Sequence, residues 1–356
     1  MIAGEPATPL TAFLRDIIAA EGAITFERYM DVVLHHRDHG YYRQGNPIGV
    51  EGDFSTASEI SQLFGEMIGV WCVDAWQRIG KPSAFVLLEL GPGLGTMLQT
   101  AFSFTQQHPD FHDAMQLYLL ESNATLRAVQ QEKLSAHKPV YVEHIRDLPS
   151  LPLIVVANEF FDTLPLRQFV RGFRGWRERL VIFENDSLKF IDGPKTDFPL
   201  GIPLHPEIND LKRGWIYEIS SQAYAVMRDI SSHIYRCGGA GLIIDYGYKF
   251  PPKTGTLDAL RKHRFVDVFA APGRVDVTAG VDFSMLVATA VQEGVSAIGL
   301  LNQREFLEKM GVGLRAEVLR KNAGDNIKQA VNRGLFQLTS LSEMGKHKVL
   351  EIGFLK

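Results

Sequence analysis

Short apolar runs alternate with segments of helical periodicity through the middle of the chain. The runs occupy residues 84–90, 117–120, 140–142, 153–157 and 241–245. Their length and apolar character predict buried strands, and helices are predicted between the first few of them. Strands that alternate with helices form a parallel, doubly wound sheet, so the pattern predicts an α/β fold. A last pair of strands is predicted at 295–300 and 348–355, with helices between them.

Three regions outside this alternation have patterns of their own. The N-terminal region is predicted to be helical at 8–20, 25–37 and 58–79, with Thr25 as a helix cap. Segments that read as strands at 167–170, 178–183 and 188–191 predict a β-rich insertion. Residues 251–282 are rich in Gly, Pro, Lys and Arg and predict a long loop, of a length that is usually either functional or disordered. The expected domains are a helical or lid region at 1–80, a core at 81–164 and 219–356, and the insertion at 165–218.

Composition narrows the class of protein. The chain has 356 residues, 46% hydrophobic and 22% charged, which is ordinary for a globular protein. The net charge is −4 and the charged residues form no long block of one sign, so binding to nucleic acid or to an anionic membrane is not expected. No apolar run approaches the roughly 20 residues that a membrane span needs, so no membrane insertion is expected. The basic stretch 171–179 is interpreted as one face of a hairpin. Two distant cysteines and no signal or transit pattern indicate a reducing compartment, so a bacterial cytoplasmic protein is expected.

No metal site is expected from the sequence. His35, His36 and His39 are close together, and His35 and His39 are one helical turn apart. Because no cluster of cysteines or carboxylates accompanies them, a solvated helix end is the preferred interpretation.

A glycine-rich turn follows the first predicted strand of the core. The strand carries Glu89 near its end, and Gly91, Gly93 and Gly95 follow before a helical segment. Glycine lets the backbone approach a ligand closely, and the helix N-terminus offers unpaired N–H groups. Thr96 stands where a dinucleotide fingerprint would have its third glycine, which disfavours a dehydrogenase. A tight turn that binds nothing is the alternative.

The next predicted strand also ends in an acidic residue. Glu121 follows the run at 117–120, and a carboxylate at this place can accept both ribose hydroxyls of a nucleoside. A solvated glutamate at a strand end is the simpler alternative. The order of strand, acid, glycine turn, helix, strand and acid favours nucleoside binding.

Several motifs together resemble one family. They are HGYY (39–42), GDFSTASEISQLFGEMIG (52–69), ELGPGLGT (89–96), LLESNATLRAVQ (119–130), ANEFFDTLPLRQFV (157–170), IIDYGY (243–248), GTLDALRKH (255–263), DVTAGVDFSML (276–286) and EMGKHKVLEI (343–352). The chain resembles the MidA-like class I S-adenosylmethionine (SAM)-dependent methyltransferases, whose mitochondrial member is a protein-arginine methyltransferase that assists assembly of respiratory complex I. The resemblance implies a Rossmann-like class I sheet, mostly parallel and doubly wound, with an antiparallel last strand.

The resemblance also implies an activity and its partners. The expected protein is a SAM-dependent enzyme, an arginine N-methyltransferase acting on a protein substrate, a subunit of complex I. Methylation of a small molecule or RNA, and a non-enzymatic assembly factor on the same fold, remain as alternatives. A homo-oligomer is left open.

The resemblance assigns roles to residues of the core. Glu89 is expected to face the methionine ammonium of SAM, the three glycines to pass under the cofactor, and Glu121 with Ser122 to hold the ribose. Asn158, Glu159 and Asp162 follow the strand at 153–157 and are expected to be catalytic, because ligands bind at the carboxyl ends of parallel strands. Glu159 and Asp162 could grip a guanidinium; capping of a helix is the alternative.

Substrate contacts are expected from three further residues. Asp245 ends the strand at 241–245, and His263 and Asp282 belong to the predicted long loop. Anchoring of the loop is an alternative role for Asp245. A lid over the cofactor is the hypothesis for residues 52–56.

The sequence departs from the family pattern at five positions. They are Ser58, Leu94, Leu260, Val268 and Gly280, where the family usually has Pro, Arg, an aromatic residue, Pro and His. The last three lie in the predicted substrate loop, so they bear on the acceptor more than on the cofactor.

Overall fold

The apolar runs of the chain form one seven-stranded sheet. The computed structural model describes residues 7–43, 56–262 and 264–353. The strands of the sheet, in spatial order, are Ser296–Asn302, Lys348–Gly353, Gly239–Asp245, Leu153–Asn158, Phe85–Leu90, Met115–Leu120 and Val140–Tyr141. The last five are mutually parallel, whereas Lys348–Gly353 runs antiparallel to both neighbours. The prediction of an α/β fold with an antiparallel last strand is therefore confirmed.

Helices and an apolar core surround this sheet. The helices are Ala57–Ile60, Gln62–Arg78, Thr96–Phe104, Pro109–Ala114, Ala124–Lys133, Gln303–Lys309, Val312–Arg320 and Asp325–Thr339, with single 3-10 turns at Ser135–His137, Ile145–Asp147 and Met344–Lys346. Fully buried side chains such as Leu87, Ile154 and Leu242 come from the central strands, and Trp71 from the longest of these helices. Burial on both faces explains why the strands appear in the sequence as continuous apolar runs.

The prediction of a single helix at 58–79 is wrong. The structure has two helices, Ala57–Ile60 and Gln62–Arg78, separated by Ser61 in an extended conformation (φ −158°, ψ 136°). The Ser61 hydroxyl accepts a hydrogen bond from the backbone N–H of Leu63 at 3.3 Å. Serine caps a new helix in this way because its side chain replaces the missing acceptor of the first turn, and the periodicity of apolar residues does not register such a break.

The chain divides into two compact units, each assembled from three separated stretches. The second unit, which contains the sheet described above, comprises Ser55–Phe160, Arg228–Tyr246 and Ala290–Lys356. The first unit comprises Met1–Phe54, Phe161–Met227 and Gly247–Thr289. The helices Ser221–Cys237 and Phe283–Gln292 each contain one of the boundaries.

The first unit contains an antiparallel sheet and two N-terminal helices. Its strands are Ile24–Thr25, Gly175–Glu184, Arg167–Gly172 and Ile216–Ile219 in spatial order, with Ser187–Thr196 also paired to Gly175–Glu184. The strands predicted in the β-rich insertion are thus present. The helices Pro9–Glu21 and Phe26–His35 confirm the prediction, and Thr25 caps the second by accepting the N–H of Arg28 at 3.1 Å.

The segment 251–282 is not only a loop. Asp258–Arg261, Arg264–Phe265 and Asp276–Thr278 form a small antiparallel sheet, and Val281–Asp282 pairs in parallel with Gly247–Tyr248. Hydroxyls of the N-terminal region hold the segment: Tyr29 donates to the carbonyl of Val268 at 2.6 Å, Thr8 to that of Pro272 at 2.8 Å, and Tyr42 to Asp276 Oδ1 at 2.6 Å. These strands have two to four residues each. Partners distant in the chain stabilise them, so local propensity did not predict them.

Two predictions from the sequence concern membranes and the lid. Within the described ranges, no helix combines the length and the apolar character that a membrane span requires. Residues 52–55 of the proposed lid lie outside the residues that the structure describes.

Close packing of two helices in the second unit depends on glycine. A Cβ at Gly69 would stand 2.9 Å from the carbonyl oxygen of Ala101 and 3.1 Å from its Cα. Because backbone atoms cannot move aside as a side chain can, we expect Gly69→Ala to lower the free energy of unfolding by about 1–3 kcal/mol. Chemical denaturation followed by circular dichroism measures this change.

A matched control is Gly313→Ala in the helix Val312–Arg320, where an added Cβ meets nothing within 4 Å. This variant should be as stable as the original protein or slightly more stable, since alanine has the higher helix propensity. Equal stability of both variants would contradict the packing argument.

Candidate functional site

The turn after the central strand Phe85–Leu90 has a left-handed backbone at alternate positions. Gly91, Gly93 and Gly95 have φ values of 61°, 54° and 71°. Side-chain-bearing residues rarely adopt this conformation, so glycine is required for the turn itself as well as for approach to a ligand. Gly95 is also the N-cap residue of the helix Thr96–Phe104 and contributes no side-chain cap. The first amides of this helix are thereby directed toward the end of the sheet.

The acid after the neighbouring strand is held in a defined orientation. Glu121 Oε1 accepts the backbone N–H of Asn123 at 2.8 Å, and Oε2 accepts the side-chain amide of Gln130 at 3.2 Å. The same amide donates to the carbonyl of Gly93 at 2.7 Å. Glu121 is therefore linked to the glycine turn through Gln130. A glutamate that was merely solvated at a strand end, the alternative interpretation, would not have these partners.

Gln130 is a further candidate site residue, which the sequence pattern did not single out. It lies on the helix Ala124–Lys133, has no exposed surface, and connects the glycine turn to the ribose candidate. One signal was available: Gln130 follows Leu126 by four residues and therefore lies on the same, buried helix face. A buried side-chain amide is costly unless it is hydrogen-bonded, so an amide on an apolar helix face indicates that polar partners lie nearby.

Glu89 is buried beside the turn with part of its carboxyl group unpaired. It is 4% exposed, and its Oε2 atom has no hydrogen-bond partner among the described residues. Burial, followed by the charge of Glu121, raises the pKa of Glu89 to about 8. Burial and the nearby Glu89 also raise the pKa of the Cys72 thiol. A carboxyl group without a partner is expensive in such a place, and a bound ammonium group would compensate it.

A second group of polar residues follows the adjacent strand Leu153–Asn158. Glu159 has φ 49°, and its backbone N–H donates to the carbonyl of Ile244 at 2.9 Å. Its Oε1 atom accepts the N–H of Ala57 and the amide of Asn158, each at 3.4 Å. The Oδ1 atom of Asn158 is buried and has no partner in the described part of the chain.

The conformation of Glu159 supports a functional role. A left-handed backbone at a residue other than glycine costs about 1–2 kcal/mol, and such strain is concentrated at active sites. The alternative role of Asp162 as a cap receives no support from its position, because Asp162 lies inside the 3-10 turn Phe161–Thr163 and not ahead of it.

Asp245 is the last residue of the strand Gly239–Asp245, which pairs in parallel with Leu153–Asn158. It is completely buried, and its Oδ1 atom accepts the N–H of Tyr246 at 2.9 Å. Ile244 and Asn158 are register partners in the parallel pair, so Asp245 and Glu159 follow partnered positions at the same end of the sheet. This placement agrees with the crevice expected at the carboxyl ends of the strands.

The other expected residues belong to the first unit or are not described. Asp162 and Asp282 line one cavity together. His263 lies outside the described residues. Within the described ranges, no group of three or more His, Cys, Asp or Glu side chains is arranged to hold a metal ion.

These features define the class of protein. A mixed α/β sheet, a left-handed glycine turn at a strand end, an unpaired buried carboxyl group and an oriented second acid are typical of a site for a nucleoside cofactor with an amino-acid portion. The residues present fit SAM: a methionine ammonium would supply the cation that Glu89 Oε2 lacks, and Glu121, held in a fixed orientation beside the glycine turn, would be available to ribose hydroxyls.

Comparisons with known proteins identify the family. A family model described as an S-adenosyl-L-methionine-dependent methyltransferase matches residues 67–301. The rat protein arginine methyltransferase NDUFAF7, mitochondrial, is 35% identical over 367 residues, covering 95% of this chain and 83% of the relative. The human NDUFAF7 protein is 33% identical over 372 residues, covering 97% and 83%.

Solved structures agree with this match. A methyltransferase-like protein from Burkholderia thailandensis, bound to S-adenosyl-homocysteine, has a TM-score of 0.83 at 27% identity. The alignment covers 97% of this chain and 92% of that one. The chain belongs to the MidA-like family of SAM-dependent methyltransferases, and its cofactor is SAM.

The raised pKa of Glu89 predicts proton release on cofactor binding. At pH 7 the free carboxyl group is mostly protonated, because its pKa is about 8. Pairing with an ammonium group requires the carboxylate, so binding of S-adenosylhomocysteine should release about one proton. The affinity should rise up to about tenfold per pH unit between pH 6 and 8, then level off. Calorimetric titration in buffers with different ionisation enthalpies measures both quantities.

The control for this titration is Glu89→Gln, which should bind with a pH-independent affinity and no proton release. Binding by the original protein at pH 7 without proton release would show that Glu89 does not pair with the ligand.

The orientation of Glu121 predicts a loss of cofactor affinity in Glu121→Ala. We expect S-adenosylhomocysteine to bind about 10–100 times more weakly, because hydrogen bonds to a charged group are lost. The exposed Glu132, on the same helix as Gln130, provides the matched control Glu132→Ala, which should bind normally. Equal affinities in the two variants would remove Glu121 from the ribose site.

Proposed function

We propose that this SAM-dependent methyltransferase methylates a nitrogen atom of an arginine side chain in a protein, and that the protein is a subunit of respiratory complex I. The observation that carries the proposal is Glu159, a glutamate held in a left-handed conformation at the end of a central strand. The name of the NDUFAF7 relatives, protein arginine methyltransferase, supports the choice of acceptor, since the similarity extends over 95% of this chain.

The cofactor supplies an electrophilic methyl group on a sulfonium. Glu89 would pair with its ammonium, Glu121 and the neighbouring Ser122 would hold its ribose, and Gly91, Gly93 and Gly95 would let the backbone follow its length. These contacts fix the position of the methyl group, and positioning supplies much of the rate enhancement of a transfer between two bound partners.

Glu159 would act on the acceptor. A guanidinium is planar and has five N–H donors, so a carboxylate can hold it in a fixed orientation and direct one nitrogen atom. The group transferred would be the methyl group of the sulfonium, and Glu159 would hold the guanidinium nitrogen as it gains this methyl group and would accept, directly or through water, the proton that the nitrogen gives up. A carboxylate beside the nitrogen stabilises the positive charge until this proton leaves. Asn158 would supply a further acceptor through Oδ1, and Asp245 and Asp162 remain candidates for substrate and catalytic roles.

We propose the following setting for this activity. The seven-stranded sheet is a Rossmann-like class I methyltransferase core at 81–164 and 219–356, the helical region is 1–80, and the insertion is 165–218. The protein would act in the bacterial cytoplasm, because both cysteines, Cys72 and Cys237, are free thiols, as in a reducing compartment.

Glu159→Gln tests the proposed role of this carboxylate. Transfer of labelled methyl groups to arginine in purified complex I subunits should fall at least 100-fold, because the neutral amide cannot stabilise the cationic acceptor. The affinity for S-adenosylhomocysteine should stay near the original value. Glu143→Gln, an exposed residue just after another strand of the same sheet, is the control.

Mass spectrometry of the labelled subunits identifies the acceptor residue. Full transfer activity in Glu159→Gln would exclude the clamp. Methylation of another residue type by the original protein would contradict the proposed arginine acceptor while leaving the methyltransferase activity intact.

A further inference from the structure

One end of the antiparallel sheet in the first unit carries six basic side chains. This end is marked by the two-residue turn at 173–174, which joins the strands Arg167–Gly172 and Gly175–Glu184. The basic residues come from three separate segments of the chain, and we call them the basic end of the sheet: Arg171, Arg174, Arg177, Lys195, Lys212 and Arg213. No long run of basic residues marks this surface in the sequence, because folding assembles it.

The register of the strands brings the three segments together. Arg177 and Lys195 lie directly opposite each other as register partners. The carbonyl of Arg171 accepts the backbone N–H of Gly214 at 2.8 Å, and Gly214 directly follows Arg213. Like charges directly opposite each other destabilise a sheet. The stability of the sheet therefore does not explain why positive charge is collected here.

Acidic residues do not neutralise the basic end. In the part of the chain that the structure describes, none of the six basic groups takes part in an ion pair. Glu178, next to Arg177 in the chain, is bound instead to Arg167, with Nε at 2.7 Å from Oε1. Asp197 and Asp210, the acids nearest to the other two segments, are exposed. Six cations thus accompany two exposed acids, so this surface attracts anions.

Two large apolar side chains in the same region are almost fully exposed. Phe173, in the two-residue turn, is 81% exposed. Leu200 is 97% exposed and belongs to the loop that leaves the strand Ser187–Thr196 at this end of the sheet. Trp176, by contrast, is buried, and the guanidinium of Arg171 lies over its ring at 5.3 Å from the centroid. The exposed pair therefore contributes little to the core of the unit.

The combination of cations and exposed apolar side chains distinguishes among anionic partners. Nucleic acids stack their bases on aromatic faces, but Leu200 is aliphatic and Trp176 is buried. An acidic protein segment would account for the positive charge but not for Phe173 and Leu200 at loop positions. An anionic bilayer accounts for both, because its headgroups attract cations and its boundary with the acyl chains accepts apolar side chains.

We propose that the basic end of the sheet binds the surface of an anionic membrane, with Phe173 and Leu200 entering the headgroup region. The contact is made by loops and strand ends, and it does not depend on which acceptor the enzyme methylates. The charge pattern along the chain predicted no such binding, and the inference revises that prediction. Cytoplasmic leaflets carry anionic lipids, which agrees with the compartment proposed above.

Co-sedimentation of the full-length protein with lipid vesicles tests the inference. One set of vesicles contains equal parts of phosphatidylglycerol and phosphatidylcholine, and the other contains phosphatidylcholine alone. We expect binding to the anionic vesicles only, and this binding should weaken as the salt concentration rises. Arg174→Glu combined with Arg213→Glu should weaken it about tenfold or more, because each basic residue near an anionic surface adds to the attraction.

The matched control is Arg15→Glu combined with Arg28→Glu. It changes the net charge by the same amount on exposed residues of the two N-terminal helices of the same unit. This control should retain most of its vesicle binding. Phe173→Ser and Leu200→Ser test the apolar contact and should each weaken binding about fivefold. Because all these side chains are exposed, every variant should bind S-adenosylhomocysteine like the original protein.

Selective loss of binding to the anionic vesicles in the Arg174 and Arg213 double variant supports the inference. Absence of binding by the original protein, or equal binding by the double variant and its control, overturns it. Unchanged binding in both serine variants removes Phe173 and Leu200 from the contact. Tighter binding of single-stranded RNA than of vesicles, measured by fluorescence anisotropy, would assign the surface to nucleic acid. Reduced methyl transfer to complex I subunits with unchanged vesicle binding would assign it to an acidic protein instead.

Discussion

The buried carboxyl group of Glu89 is the constraint around which the candidate cofactor site is arranged. It lies near the end of a central strand, and one of its oxygens has no donor in the described part of the chain. Burial raises its pKa to about 8, so the group is mostly neutral near pH 7 and becomes an anion readily when a cation arrives. A site of this kind is incomplete until a positively charged ligand is bound. Glu121, whose orientation is fixed by Asn123 and Gln130, is the candidate for the ribose of such a ligand.

Backbone conformation limits which residues can surround this carboxyl group. The strand must turn at once into a helix, and the left-handed values at Gly91, Gly93 and Gly95 achieve the reversal without side-chain strain. Glu159 adopts the same left-handed conformation although it has a side chain, which costs free energy. The hydrogen bond from its N–H to the carbonyl of Ile244 and the packing of the sheet offset this cost. The difference is instructive: glycine provides the turn where no chemistry is needed from the side chain, whereas Glu159 retains its carboxylate.

The first unit contains two buried acids, Glu218 and Asp282, with different hydrogen-bond partners. Glu218 accepts hydrogen bonds from Gln168 and Thr256, while Asp282 caps the helix Phe283–Gln292 through Oδ1 and its charge and hydrogen bond help to raise the pKa of the Tyr217 hydroxyl. Two buried carboxyl groups in one cavity thus have separate roles, and only their hydrogen-bond partners distinguish them. Neither role follows from the residue type, since both side chains are acidic and both are shielded from solvent.

Residues that are close together in the chain could be interpreted from the sequence. The parallel strands, the glycine turn, the cap at Thr25 and the presence of acids at strand ends, Glu89 and Glu121, follow from local pattern, because strand burial and turn chemistry are determined by neighbours within a few residues. Glu159 is singled out by the family resemblance. The break at Ser61 and the short strands of 251–282 did not follow, because one hydroxyl and several distant pairings decide them.

The amino-acid sequence by itself determined the α/β class, the cofactor turn and the family to which the chain belongs. Only the tertiary structure decided that Gln130 links Glu121 to Gly93, that Glu218 is internally paired, and that Asp282 lies beside the Tyr217 hydroxyl. The physical reason is that whether a polar atom is paired depends on atoms brought to it by folding from distant parts of the chain, and no local pattern records that pairing.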